Sequence, residues 1–208
     1  MLNFLFGAKS PTRRWPPYAG EPLKFDLDRS TLNRVQLGQP LEAVRFLGPD
    51  EQPQAGRHGE FYYYSLGLEV CTYDSDTIRE FHLVYQEPDA LKFKPFAGEV
   101  RWGGAAIDLA SLTPETFVEQ FGEYYWRADE SERDEPESDE LDEEEDDDAD
   151  DADDEVTLFY EHRGIEWQVE FLDGVHLSRL TITNHPLFDD PHMRKLFRLT
   201  KPWPPEHS

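Results

Sequence analysis

The chain has 208 residues, 45 of them acidic against 20 basic, with a formal net charge of −25 and an apolar fraction of 38%. That length suffices for one sizeable hydrophobic core or two small ones. The sign of the charge argues against direct nucleic-acid binding, because Arg13-Arg14 is the largest basic cluster on offer to phosphates. No run approaches the ~20 apolar residues that cross a bilayer, and Met1–Gly7 is too short and too uncharged for an export signal. A cytoplasmic protein without membrane contact is the expectation.

Residues 1–22 carry Pro11, Pro16, Pro17 and Pro22 and read as an extended lead-in resting on the domain through Trp15 and Tyr18. A first unit spans 23–90. Leu23, Phe25 and Leu27 alternate with polar residues as a short strand. The spacing of Leu41, Val44 and Leu47 predicts a helix over Gln39–Leu47, with Pro40 at its first position and Gly48 beyond its end. Phe61–Leu66, Leu68–Tyr73 and Ile78–Tyr85 then read as three strands, and the short gaps between them demand antiparallel pairing. In the third, Phe81, Leu83 and Tyr85 oppose Glu80 and His82. Cys71 is the sole cysteine and cannot form an internal disulfide. It reads as a small core residue with no base nearby, in a reducing compartment.

A second unit spans 91–186. Val100–Leu109 is strand-like around Gly103-Gly104. Thr113 is a good N-cap, Pro114 takes the first helical position, Phe117, Val118 and Phe121 form an apolar stripe, and Gly122 ends the helix. From Asp129 to Glu155, 20 of 27 residues are acidic; the window holds −19 and leaves about −6 to the rest. Carboxylates this dense repel one another and bury nothing, so a disordered insertion is predicted. It serves either as a solubilising loop or as an arm attracting a basic partner. Beyond it, Ile165, Trp167, Val169 and Phe171 alternate with Glu166, Gln168 and Glu170, a half-buried antiparallel strand. Asp173-Gly174 turns it into Leu177–Ile182. Residues 187–208 read as a clamp over a sheet edge, with a short helix at Pro191–Phe197.

The two units repeat one another. Pro40-Leu-Glu-Ala-Val-Arg-Phe-Leu-Gly48 is answered 74 residues later by Pro114-Glu-Thr-Phe-Val-Glu-Gln-Phe-Gly122, each followed by alternating aromatic segments. The expected fold class is α+β: a tandem duplicated helix-plus-antiparallel-strands unit forming a six- to eight-stranded sheet, with both helices on one face. The stretch Leu37-Gly-Gln-Pro-Leu-Glu-Ala-Val, ending at Leu47-Gly48 and followed by strands, resembles the repeat of the BamE (SmpA) family. Its tandem use is similar to the β-lactamase-inhibitory protein architecture, in which two units build one concave sheet that grips a partner. The chain departs from the first in lacking a lipidated cysteine and from the second in lacking disulfides. The resemblance implies a fold and a habit of binding proteins, and no functional residue is transferred.

No catalytic motif, phosphate loop or dinucleotide fingerprint is present, and no cofactor or metal is predicted. The reading is a non-enzymatic, inhibitor- or immunity-like module that binds a protein partner, a basic one, through the open sheet face. Candidate contact residues are Tyr62, Tyr64, Glu166, Gln168 and Glu170, with Tyr124 and Tyr125 beside the acidic loop. Two alternatives stay open. One is a small metal-dependent hydrolase using His185, Asp189 and His192, with Asp190 and His176 near. The other is a structural domain with a solubilising acidic loop.

Overall fold

Alternation of apolar and polar side chains builds the larger of two sheets. The computed structural model describes residues 10–52, 59–73, 75–86, 93–129, 155–196, 199 and 202–204. In chain order the strands are β1 (Lys24–Asp26), β2 (Thr31–Leu32), β3 (Val35–Gln36), β4 (Glu60–Tyr63), β5 (Leu68–Cys71) and β6 (Glu80–Val84). They continue with β7 (Glu99–Trp102), β8 (Ala105–Ile107), β9 (Trp126–Asp129), β10 (Val156–His162), β11 (Ile165–Phe171) and β12 (Leu177–Thr183). Seven pair antiparallel in the order β4-β5-β6-β12-β11-β10-β9; the other five form a mixed sheet in the order β3-β2-β1-β7-β8. The class is α+β.

Two three-stranded meanders, β4–β6 and β10–β12, become one sheet where β6 pairs with β12, Glu80 opposite Thr183 and Val84 opposite Arg179. The strands expected ahead of the helices, β1 and β7, stay out of that sheet. They pair parallel with one another, Phe25 opposite Val100, and each keeps its own antiparallel neighbour. Hence a second, five-stranded sheet goes beyond the sequence expectation. Phe25 ties the two together, its ring meeting Phe81 of β6 edge-on at 5.7 Å.

The first helix is corrected in kind. Leu41–Leu47 forms 3-10 turns with Pro40 as the N-cap, and Val44 (φ −93°, ψ 15°) breaks the run. Val44 and Leu47 still reach the core. By contrast α1 (Pro114–Phe121) follows its sequence signals, with a capping box in which the Thr113 and Thr116 side chains each accept from the other's N–H. Phe117 is fully buried, against Phe121, Tyr160 and Phe171. At the C-terminal side, α2 (Pro191–Leu196) is one short helix.

The predicted strand Phe61–Leu66 stops at Tyr63, and Tyr64–Leu66 makes a 3-10 turn closed by Gly67 at φ 63°, ψ 36°. A Cβ there would stand 2.4 Å from Lys94 O and Phe96 N, so the left-handed turn admits only glycine. The lead-in is likewise less extended than its prolines imply, because Pro11–Arg14 forms a 3-10 turn. Buried Thr12 donates to Asp50 Oδ2 at 2.5 Å and accepts from the Asp50 N–H at 3.0 Å, anchoring this segment beside Trp15 in the core.

Alternation gives the seven-stranded sheet two unlike faces. Phe61, Val70, Phe81, Ile182, Val169 and Leu158 lie on one, in the main core with Phe25, Val44 and Phe117. The other is polar, except where Phe159 and Trp126 meet Phe188 and Tyr125 in a second, smaller cluster. The C-terminal segment therefore packs on the face of β9 and β10 beside the sheet edge. The acidic segment lies outside the described residues apart from Asp129 and Glu155.

Phe81 is fully buried and touches both sheets. Phe81→Ala is expected to cost about 3–5 kcal/mol, read as a lowered denaturant midpoint with the transition still single.

Candidate functional site

The polar face is built by register. Antiparallel pairing places Glu60 opposite Cys71, Tyr62 opposite Glu69, Glu69 opposite His82 and Cys71 opposite Glu80. Across the β6·β12 joint, His82 faces Thr181 and Glu80 faces Thr183. On β11, Gln168 and Glu166 then stand opposite Thr181 and Thr183, with Glu170 opposite Arg179. One face thus carries Glu60, Glu69, Glu80, Glu161, Glu166 and Glu170, with His82 and Arg179 as the basic strand residues among those described.

Its centre is a hydrogen-bonded cluster on β5 and β6. Cys71 Sγ lies 3.4 Å from Glu69 Oε1 and 3.5 Å from His82 Nε2, and that same nitrogen lies 3.0 Å from Glu80 Oε2. On the far side of the ring, Nδ1 stands 2.9 Å from Thr181 Oγ1. Tyr73 donates its hydroxyl to Glu80 Oε2 at 2.5 Å. It does so from a left-handed backbone (φ 47°), an uncommon conformation for a tyrosine. Cys71 is 1% exposed, Glu69 7% and Glu80 8%.

Electrostatics follow from this enclosure. Burial pushes the Cys71 thiol up, and the charges of Glu69 and Glu80 push it further, so it stays protonated while no cation is near. Burial also pushes the Glu80 carboxyl up, yet its bonds with His82, Tyr73 and Thr183 and the charge of His82 outweigh that, holding it below the ordinary range. Glu166 and Glu170 go the other way, raised by burial despite bonds from Gln168 and the backbone in one case and despite Arg179 and His82 in the other.

The sequence-derived candidates fall into separate places. Tyr62 and Tyr64 stack with ring centroids 5.6 Å apart, and Phe93 sits 4.7 Å from Tyr64, an aromatic group at the β4 edge. Gln168 and Glu170 are half-buried on the polar face. Glu166 is on that face but fully enclosed; its Oε1 accepts from Gln168 Nε2 at 2.6 Å and from the Leu187 N–H at 2.9 Å, holding down the C-terminal segment. Tyr124 leans on the main core, whereas Tyr125 is buried in the second cluster and donates to Pro202 O at 2.8 Å.

His185, Asp189 and His192 are not gathered. His185 Nε2 faces the Arg79 guanidinium, Asp189 belongs to the Leu187–Asp189 turn, and the His192 N–H donates to Asp190 Oδ1. Among the described residues, the one group of three with ligand atoms close enough for a metal is Glu69, Cys71 and His82. Sequence reasoning passed over it by finding no base near Cys71. The signal available was Glu-x-Cys on one strand of a hairpin and Glu-x-His on the next.

No protein-family model matches this chain, and no curated protein matches its sequence. Among solved structures the chain is similar to a DUF4309 family protein (YjgB) from Bacillus subtilis. The two are 15% identical, with a TM-score of 0.40 over 69% of this chain and 77% of the other. That likeness carries no argument about function.

A second concavity, a cleft of about 500 Å³, opens beside the lead-in and is lined by Pro11, Trp15, Leu41, Phe61 and Tyr73 among others. The hydroxyl of Ser75 in its lining lies against the Thr72 and Thr77 carbonyl oxygens, not against a side-chain base, so the polar face is the stronger candidate.

A carboxyl depressed in the folded state adds stability above its unfolded value, and that stability is lost as pH falls through the folded value. For Glu80 this means stability present at neutral pH and lost below the ordinary carboxylate range. Tyr73→Phe removes one bond that depresses it. The variant should be less stable than wild type by about 1 kcal/mol at neutral pH, and the gap should narrow in denaturation at pH ~3, below the unfolded carboxylate values.

Proposed function

We propose that this chain is a non-enzymatic protein-binding module that takes a basic segment of its partner on the polar face of the seven-stranded sheet. The observation that carries this reading is the gathering of six glutamates on one face against His82 and Arg179, of which Glu60, Glu161 and Glu170 are half-exposed beside Tyr62, Gln168 and Arg179. Carboxylates of one sign on a broad surface steer a cationic partner and reject anionic ones. The Tyr62–Tyr64–Phe93 group supplies large, rigid apolar area at one margin, of the type that dominates binding energy. The acidic segment would extend the same attraction outward.

The same reading takes the surface as the product of a duplicated unit. The first half runs three short strands, 3-10 turns and three antiparallel strands (β1–β3, Leu41–Leu47, β4–β6), the second a hairpin, a helix and four antiparallel strands (β7–β8, α1, β9–β12). Element order supports this. The joints differ in sense, antiparallel at β6·β12 and parallel at β1·β7, so the correspondence is one of order and not of symmetric packing.

Immobilised wild type, a Gln168→Arg/Glu170→Arg double variant and a chain lacking Asp129–Glu155 separate the contributions. Proteins retained by wild type at low salt should be lost from the double variant, released by raised salt, and retained in part by the deleted chain. Equal retention by the double variant would overturn the sheet-face reading. Loss confined to the deleted chain would assign recognition to the acidic segment instead.

A further inference from the structure

We propose that Glu69, Cys71 and His82 form a binding site for a divalent cation of the zinc type, with Glu80 beside the His82 ring. The four residues make a two-by-two block on adjacent antiparallel strands, Glu69 opposite His82 and Cys71 opposite Glu80, all on one face. Directly opposed residues on a sheet face have Cβ atoms about 4.5–5.5 Å apart, within reach of one shared ion.

The donor atoms stand where such an ion needs them. The ligand atoms of Glu69, Cys71 and His82 lie within 4.8 Å of one another. Zinc bonds of about 2.3 Å to sulfur and about 2.0–2.1 Å to nitrogen or oxygen, at tetrahedral angles, separate neighbouring donors by roughly 3.5 Å. Cys71 Sγ is 3.5 Å from His82 Nε2 and 3.4 Å from Glu69 Oε1, while Glu80 Oε2 is 3.0 Å from His82 Nε2.

Two independent features point the same way. Thr181 Oγ1, 2.9 Å from His82 Nδ1, fixes the ring from behind and leaves Nε2 aimed at Cys71 and Glu80, the outer-shell arrangement typical of metal-bound histidines. Charge is the second. Glu69 and Glu80 are 7% and 8% exposed and stand at diagonal corners of the block, with Cys71 and His82 at the other two. Enclosed charge of one sign calls for a compact counter-charge.

The donor types choose the metal. Sulfur and imidazole favour zinc and its softer neighbours over magnesium and calcium, which take oxygen. Cys71 at 1% exposure excludes an organic substrate from the thiol but admits an ion through the partly exposed His82 side. Two of the three donors come from β5 and one from β6, so the ion would tie β5 to β6 beneath the proposed partner face.

The test uses the full chain, stripped of metal and titrated with Co2+ and then Zn2+ in excess Mg2+, which occupies the carboxylates of Asp129–Glu155 without competing for sulfur. One equivalent of Co2+ should bind with a thiolate-to-metal charge-transfer band, be displaced by Zn2+, and Zn2+ should raise the thermal midpoint. Cys71→Ser should abolish the band and weaken Zn2+ at least tenfold. Thr181→Val should keep the band while weakening affinity about 10- to 100-fold. His192→Gln should change neither. Failure of folded wild type to saturate with Co2+, or saturation without the band, overturns the site, as does unchanged Zn2+ affinity in Cys71→Ser. Should Cys71→Ser not fold, the wild-type spectrum and Thr181→Val decide. None of these outcomes bears on partner retention, so the two proposals fail separately.

Discussion

The pairing of β6 with β12 is the constraint on which the rest of the structure depends. It joins residues about a hundred positions apart, and it does so on both faces at once. On the core side it sets Phe81 beside Ile182 and Leu83 beside Leu180, making one continuous apolar floor for α1, the 3-10 turns and the smaller sheet. On the other side it sets His82 beside Thr181 and Glu80 beside Thr183, without which the β5–β6 cluster would lose the groups that orient it. A slip of one residue would exchange the two sets, placing carboxylates in the core. Burial of Phe81 and Leu83 thus fixes the geometry of Glu80 and His82.

Three of the six glutamates on the polar face are buried from solvent. Carboxylates at Glu69, Glu80 and Glu166 are enclosed, and each is held in a different way: by a thiol, by an imidazole with a tyrosine and a threonine, and by the Gln168 amide with a backbone N–H of the C-terminal segment. Such an arrangement costs stability wherever a group lacks a partner, because buried charge is expensive. The contrast between Glu80, whose carboxyl is depressed, and Glu166 and Glu170, whose carboxyls are raised, shows where partners suffice and where they fall short.

What the sequence made legible was local. The alternation in Ile165–Phe171 separated the two faces of β11, although Glu166 on the polar one is enclosed and not wet, and Thr113-Pro114 located the start of α1. Gly103-Gly104 marked a hairpin turn, with both residues at positive φ. The five-stranded sheet escaped because β1, β2 and β3 have three, two and two residues, too short to show a period, and because the β1·β7 partner lies far along the chain. Leu41–Leu47 has helical spacing, but Val44 leaves helical angles and the run closes as tight turns. The cluster escaped for a related reason. Glu80 and His82 were visible on one strand face and Cys71 on another strand, yet only the register of β5 with β6 brings Sγ to Nε2.

The parallel joint between β1 and β7 has a consequence for assembly in time. Its two strands begin 75 residues apart, and the whole first meander lies between them. Closing so long an interval before any contact rewards it makes such topologies slow to fold. As the chain leaves the ribosome, the edge of β1 that pairs with β7 stays open until β7 emerges. That wait is a window in which the nascent polypeptide depends on shielding from aggregation.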